Sequence, residues 1–293
     1  DLNRTLLEKN NQKVYVNGEF FSKKEASISV FDRGFLFSDA VYEVSAVIGG
    51  KLVDWQEHFA RLIRSLDHLN LVNNFQEKDF YQIQKKLIKE NQLKEGLCYV
   101  QVTRGVAERD FSFAKKSLSP TVVIFTQEKL ILNNPTSKLG IKIITVPDDR
   151  WLRRDIKTTQ LLAQSLAKTH AVQKGADDSL LVQGGFINEG SSSNAFIIKD
   201  ERIITPSLSN DILGGITRSS VIKFCQINNI EIKEQKINID DLMEAQEVFL
   251  TSSTGFVLPV IEIDGIHVGN GLVGDMVKEI QQIYLEQIKA KLS

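Results

Sequence analysis

The chain reads as an α+β protein built from two domains. Strand-like runs and helical periodicities alternate without a repeating βαβ unit, and a polar Asn-Pro break falls near the middle. At 293 residues the chain is long enough for two medium cores. Taken in order, Val14-Tyr15-Val16 and Glu19-Phe20-Phe21 flank Asn17-Gly18 and predict a hairpin. Val41 to Ile48 reads as a strand, turned back by Gly49-Gly50 into Lys51-Leu52-Val53. Phe59, Leu62, Ile63, Leu66 and Leu69 share one helical face, and Ile83, Leu87 and Ile88 mark a second helix. Cys98 to Thr103 and Thr121 to Phe125 are strands again.

The segment from Gln127 to Lys138, with Asn133-Asn134-Pro135-Thr136, has the composition of a link. It divides the chain into a smaller N-terminal α/β domain (1–132), a linker (133–139) and a C-terminal domain (140–293). That second domain opens with a strand at Ile141 to Val146. A helix follows with Leu161, Leu162, Leu166 and Val172 on its apolar side, and Gly175 is read as its C-terminal stop. Short strands come next at Leu180-Leu181-Val182, Ala195 to Ile198 and Ile203-Ile204. Gly214-Gly215-Ile216-Thr217 opens another helix, Val248-Phe249-Leu250 and Val257 to Ile263 complete the strands, and Val273 to Leu292 is an amphipathic closing helix.

Composition excludes several functions. Apolar residues make up 42%, charged residues 25%, and the formal net charge is -1, so nothing favours nucleic acid or an acidic membrane surface as partner. No apolar run approaches a membrane span and no signal-like opening is present, so a cytoplasmic protein is expected. Cys98 and Cys225 lie in apolar surroundings and read as buried thiols. The four histidines are scattered and match no zinc spacing, so no metal is expected.

The chemistry concentrates in two places. Lys157 lies between a strand and a helix, and Glu189-Gly190-Ser191-Ser192-Ser193-Asn194 follows thirty-two residues later. A lysine amine can form a Schiff base with a carbonyl cofactor, and a carboxylate beside a pyridine nitrogen keeps that nitrogen protonated, which makes the ring an electron sink. Singly, Lys157 is one of 36 basic residues and Glu189 a turn carboxylate; together they point to pyridoxal phosphate. Arg153 and Arg154 next to Lys157 are expected to favour its neutral amine. A phosphate needs convergent N–H groups. The glycines before Ile216 and Thr217, and the run Ser252-Ser253-Thr254-Gly255, offer them. Arg61 is a candidate cation, or an ordinary surface arginine on a helix.

These motifs, in this order, resemble the class IV aminotransferases, fold type IV of the pyridoxal phosphate enzymes. The resemblance spans Tyr15 to Ile263. It rests on Asp32-Arg33-Gly34, Val41-Tyr42-Glu43, Glu57-His58 through Arg61-Leu62, and Val102-Thr103-Arg104-Gly105. It continues through Arg150-Trp151-Leu152-Arg153, Asp155-Ile156-Lys157, Glu189 to Asn194, Gly215 to Arg218 and Thr251 to Thr254. The wording is nearest to the D-amino-acid aminotransferases.

That resemblance implies a C-terminal domain with a β-barrel-like sheet and a cofactor at the domain interface. It implies Lys157 as the catalytic amine and proton carrier, Glu189 at the pyridine nitrogen, and Leu213 on the ring face. Arg61, Ile216, Thr217 and Ser253 would bind phosphate, with Ser193, Asn194, Gly215 and Ser252 completing the cofactor-binding set. Tyr42 and Arg109 would bind the substrate carboxylate, Arg109 reaching across a homodimer boundary. The implied reaction is ping-pong transfer from a D-amino acid to 2-oxoglutarate or pyruvate. In D-amino-acid members Arg109 would be followed, two residues on, by a histidine; this chain has Phe111. That departure keeps an (R)-amine transaminase open. An L-branched-chain transaminase, an aminodeoxychorismate lyase and a non-catalytic cofactor binder are weaker alternatives.

Overall fold

The computed structural model describes residues 12–72, 74–113 and 118–292. The expected N-terminal domain therefore includes residues, 1–11 among them, that lie outside the described part. The chain forms two compact units. One runs to Leu130 and takes in Ile156–Gln160; the other comprises Ile131–Asp155 and Leu161–Ser293.

The first unit holds a six-stranded sheet in the order β2-β1-β6-β5-β3-β4. Its strands are β1 (Lys13–Val16), β2 (Glu19–Ser22), β3 (Ala40–Ile48), β4 (Lys51–Leu52), β5 (Glu95–Thr103) and β6 (Thr121–Glu128). Asn17 and Gly18 both take positive φ, 48° and 104°, the pair that a two-residue hairpin turn requires. Every pairing in this sheet is antiparallel, and β3 runs against β5 from Ala40↔Thr103 to Ile48↔Glu95. The helix Trp55–His68 lies against β3, and the helix Glu77–Glu90 against β1 and β6. They bury the residues their periodicity marks, Phe59, Leu62 and Leu66 on one, Leu87 and Ile88 on the other. The same face of the first helix also buries His58 and Arg61, which apolar periodicity does not explain.

The second unit holds a mixed sheet ordered β12-β11-β10-β14-β15-β7-β8-β9-β13, with β16 paired to β15. These strands are β7 (Ile141–Pro147), β8 (Asp178–Gln183), β9 (Phe186–Gly190), β10 (Asn194–Lys199), β11 (Arg202–Thr205), β12 (Ile232–Glu234), β13 (Ile237–Asn238), β14 (Glu247–Ser252), β15 (Phe256–Ile263) and β16 (Ile266–His267). Strand β7 runs parallel to both β8 and β15. A parallel neighbour needs a long crossover. The β7–β8 crossover contains the helix Leu162–Gln173, and Gly175 stops it with φ 79° as expected. Most of the apolar residues expected to face the core are not buried, however. Leu162, Leu166 and Val172 are exposed, and Ala171 is the residue this helix buries.

The core gathers Ile143, Leu180, Ile197, Val248 and Leu250 from adjacent strands, and Phe196 stacks on Phe249 at 4.6 Å. The closing helix Asp275–Leu292 buries Val277, Ile280, Tyr284 and Ile288, spaced three or four apart. Glu247 fixes its start by accepting the N–H groups of Met276 and Val277 at 3.2 and 2.8 Å. Among the described residues, no helix is long and apolar enough to cross a membrane.

Candidate active site

In the first unit the segment Ile156–Gln160 is held along the start of β3. The Tyr42 N–H donates to the Lys157 carbonyl at 3.0 Å, the Thr159 N–H to the Ala40 carbonyl at 3.1 Å, and Thr158 bridges Val41. This short pairing fixes the backbone on both sides of Lys157. Its Nζ then sits 4.2 Å from the centroid of the Tyr42 ring, within the range of an amine–aromatic contact. The ring is itself fixed in a stack with Tyr99 and Phe125, at 5.6 and 4.7 Å between successive centroids. Burial pushes the Tyr99 hydroxyl well above its ordinary range. Tyr42 and Lys157, both read from sequence, are thus brought together.

Alternation along β3 sends Glu43 to the opposite face from Tyr42. There Glu43 accepts Arg61 Nε at 2.7 Å and Nη2 at 2.8 Å, and its Oε2 also lies 2.7 Å from His58 Nδ1. All three residues are buried. Burial alone would raise the Glu43 carboxyl; Arg61 and His58 more than reverse this and hold it far below the usual carboxylate range. Arg61 is therefore no surface arginine. It is a locked guanidinium.

Arg109 is exposed, its guanidinium carbon 5.4 Å from the Phe37 ring and 5.5 Å from the Phe111 ring, while Phe111 itself is 79% exposed. The turn that carries it is pinned by Arg33, which donates to the Asp110 carbonyl at 2.6 Å and to Asp39 at 2.8 Å. Arg104 adds a second bond to Asp39 at 2.7 Å.

In the second unit Glu189 is the last residue but one of β9 and is buried. It accepts Arg150 Nη1 at 2.5 Å, and Asn194 Nδ2 and the Leu213 N–H at 3.0 Å each. Complete burial pushes this carboxyl above its ordinary range, against the pull of Arg150 and the Leu213 N–H. Asn194 also donates to the Leu213 carbonyl at 2.8 Å. The structure thus joins Glu189, Asn194 and Leu213 in one cluster. Gly215 belongs with them, because a Cβ there would collide with Asn194 Oδ1.

Gly215 starts the helix Ile216–Ile227, which has no side-chain cap and no acidic residue in its first turn. Such an end presents N–H groups and the positive pole of the helix to an anion. Arg218 is directed elsewhere, to Glu234 at 2.7 Å and the Pro206 carbonyl at 2.8 Å. Thr251, at the end of β14, faces Asn194 across the ladder, which brings Ser252 and Ser253 next in line. Ser252 Oγ accepts the Gly255 N–H at 3.0 Å. Ser193 Oγ is buried without a hydrogen-bond partner.

The residues fit pyridoxal phosphate. Each unit by itself offers groups such a cofactor uses: an amine in the first, and in the second a buried carboxylate, an uncapped helix start closed to any side chain at Gly215, and an orphaned serine hydroxyl.

Sequence reasoning missed the residues that hold these groups. Glu43, His58 and Arg150 were visible as motif letters without a task, and Asp148 was not singled out at all. That reasoning also did not foresee partners for the two arginines that precede Lys157. Arg153 pairs with Asp155 at 3.0 Å, and Arg154 pairs with Asp211 at 3.1 Å, so each brings a carboxylate with its charge. Among the described residues no group of His, Cys, Asp and Glu could hold a metal ion.

The sequence profile described as "Amino-transferase class IV" matches residues 40–263. A D-alanine aminotransferase of Staphylococcus aureus (strain MSSA476) is 39% identical over 281 residues, covering 95% of this chain and 99% of the relative. The D-alanine aminotransferase of Bacillus licheniformis is 36% identical over 271 residues, covering 92% and 94%. Among solved structures, a T.th. branched-chain amino acid aminotransferase with pyridoxamine 5'-phosphate superimposes with a TM-score of 0.86. It is 25% identical, with 95% of this chain and 94% of that chain covered.

Proposed function

We propose that this chain, which belongs to the class IV aminotransferases, moves the amino group of a D-amino acid to a 2-oxo acid by a ping-pong reaction. The family is pyridoxal phosphate-dependent and has the two-domain α+β architecture of fold type IV. The observation that carries the reading is the placement of the Lys157 amine over the fixed Tyr42 ring. It is joined by the D-alanine specificity named for relatives 36 to 39% identical over nearly the whole chain.

Bound pyridoxal phosphate supplies an aldehyde for the amino nitrogen and a ring that accepts electrons from the substrate α-carbon. Lys157 supplies the amine that links to it and the base that carries the α-proton. Glu189 holds the proton on the pyridine nitrogen. Asn194 and Ser193 shape the same end of the site, and Leu213 packs on the ring. Arg61, the N–H groups at Gly215, Ile216 and Thr217, and Ser252 and Ser253 bind phosphate. Tyr42 and Arg109 take the substrate carboxylate, Arg109 supplied by the second subunit of a homodimer in the cytoplasm. The domain division proposed from sequence, 1–132 and 140–293 about 133–139, goes with this reading.

One observation favours a second reading. Phe111 offers no donor beside Arg109, so (R)-amines without a carboxylate are candidate donors. The experiment is a half-reaction. Purified holoprotein is mixed separately with D-alanine, L-leucine and (R)-1-phenylethylamine, and the bound cofactor's visible absorbance is followed. Rapid loss of the band with D-alanine is expected. Loss with L-leucine alone overturns the D assignment, and loss with the amine alone selects the second reading.

A further inference from the structure

Glu189 has three donors, and they are shared unequally. Oε2 takes both Asn194 Nδ2 and the Leu213 N–H, while Oε1 takes Arg150 Nη1. A carboxylate oxygen accepts about two hydrogen bonds. Oε2 is therefore filled, and Oε1 is the atom able to take one more N–H. Arg150 is clamped in turn. Asp148 accepts its Nε at 2.9 Å and its Nη2 at 2.8 Å, and the same carboxylate takes Asn188 Nδ2 at 2.9 Å. Arg154 stands behind Asp148 at 3.5 Å and also pairs with Asp211.

Burial favours the neutral acid at Glu189, and Asp148 adds to that; the direct opposing charge is Arg150. The ionisation state decides the chemistry. A carboxylate accepts a hydrogen bond from a protonated pyridine nitrogen, whereas a neutral acid gives its proton toward an unprotonated one, and the electron sink weakens.

Resting on the pyridoxal phosphate reading above, we propose that Arg150 is the positioning residue that keeps Glu189 a carboxylate with Oε1 turned to the cofactor nitrogen, and that Asp148 holds Arg150 in place. The role is indirect: Arg150 acts through Glu189.

The test uses holoprotein loaded with pyridoxal phosphate labelled with 15N at the ring nitrogen. The wild type is compared with Arg150→Met and Arg150→Lys. In the wild type the ring nitrogen resonates in the pyridinium range. In Arg150→Met the resonance moves to the unprotonated range, and the kcat of the D-alanine half-reaction falls on the order of 100-fold, the scale for removing an oriented polar group that stabilises developing charge. KM changes by less than about 3-fold, the pattern for an interaction realised in the transition state. Arg150→Lys restores the pyridinium resonance, because the positive charge is back.

A pyridinium resonance with wild-type kcat in Arg150→Met overturns the inference and leaves the cofactor assignment standing. Wild-type protein that takes up no pyridoxal phosphate overturns both. If Arg150→Met does not fold, the double variant Arg150→Met/Asp148→Asn, which also removes the carboxylate that Arg150 had paired with, is read in its place. A pyridinium resonance there also overturns the inference.

Discussion

Glu43→Gln is the sharpest test of how the first unit holds its guanidinium. The substitution keeps the shape of the side chain and removes its charge. Arg61 loses a two-point ion pair at 2.7 and 2.8 Å, and His58 loses its partner at 2.7 Å, all in the interior. Breaking a buried pair from one side costs about 3–5 kcal/mol, because the remaining charge stays buried. Glutamine still offers one carbonyl oxygen, so the lower end, about 3 kcal/mol, applies. At roughly 2–4 °C per kcal/mol for chains approaching this size, the melting temperature falls by about 6–12 °C.

Cofactor-free protein is melted by circular dichroism, so that phosphate binding does not contribute. Arg61→Met and the double variant complete a cycle, with an expected coupling of about 2 kcal/mol. Additivity within about 0.5 kcal/mol refutes the reasoning. The same pair fixes the acid behaviour. The folded carboxyl of Glu43 lies far below its unfolded value near ~4.3, so the unfolded state binds the proton first. Its stabilisation is whole above pH ~4.3 and is lost as pH falls toward the folded pKa. Glu43→Gln should therefore lose less stability than the wild type on acidification.

Other outcomes follow from single contacts. Gly215→Ala drives a Cβ into Asn194 Oδ1, so equilibrium dialysis should find pyridoxal phosphate bound at least roughly 10-fold more weakly, the cost of displacing one hydrogen bond to a charged group. Phe111→His adds a donor beside Arg109, and the KM for D-alanine should fall by up to about 10-fold with kcat little changed. Lys157→Ala should abolish turnover, and borohydride treatment followed by peptide mass analysis should find no cofactor on the peptide that carries it in wild type. Burial raises both thiols, Cys225 to about 11 and Cys98 higher still. Ellman's reagent should leave both intact in native protein and label both once it is denatured.

The local patterns were readable because each rests on one stretch of chain. Asn17-Gly18 makes its turn, Gly175 stops its helix, and the closing helix buries its spaced apolar positions. Lys157 and Glu189 drew attention for another reason: their chemistry is rare enough that order along the chain carries information. What stayed hidden depends on the fold. The Arg150–Glu189 pair joins residues 39 apart and Arg61–Glu43 residues 18 apart, and no local pattern foretells which carboxylate a buried arginine meets. The helix Leu162–Gln173 shows the converse. An apolar stripe in sequence says which side seeks cover, not that something covers it, and Leu162 and Leu166 stay exposed in the described chain.

Each unit sets a buried carboxylate against an arginine. In the first, Glu43 Oε2 meets Arg61 Nη2 and His58 Nδ1 while Oε1 accepts Arg61 Nε, the same split of three partners as at Glu189. In the second, Asp148 and Glu189 together engage Nε, Nη1 and Nη2 of Arg150, so the atom with capacity left is Oε1 of the carboxylate. A guanidinium suits a phosphate, and a carboxylate suits a protonated ring nitrogen. On the proposed reading it is this chemistry, and not the number of partners each carboxylate keeps, that matches Arg61 to a phosphate and Glu189 to a ring nitrogen.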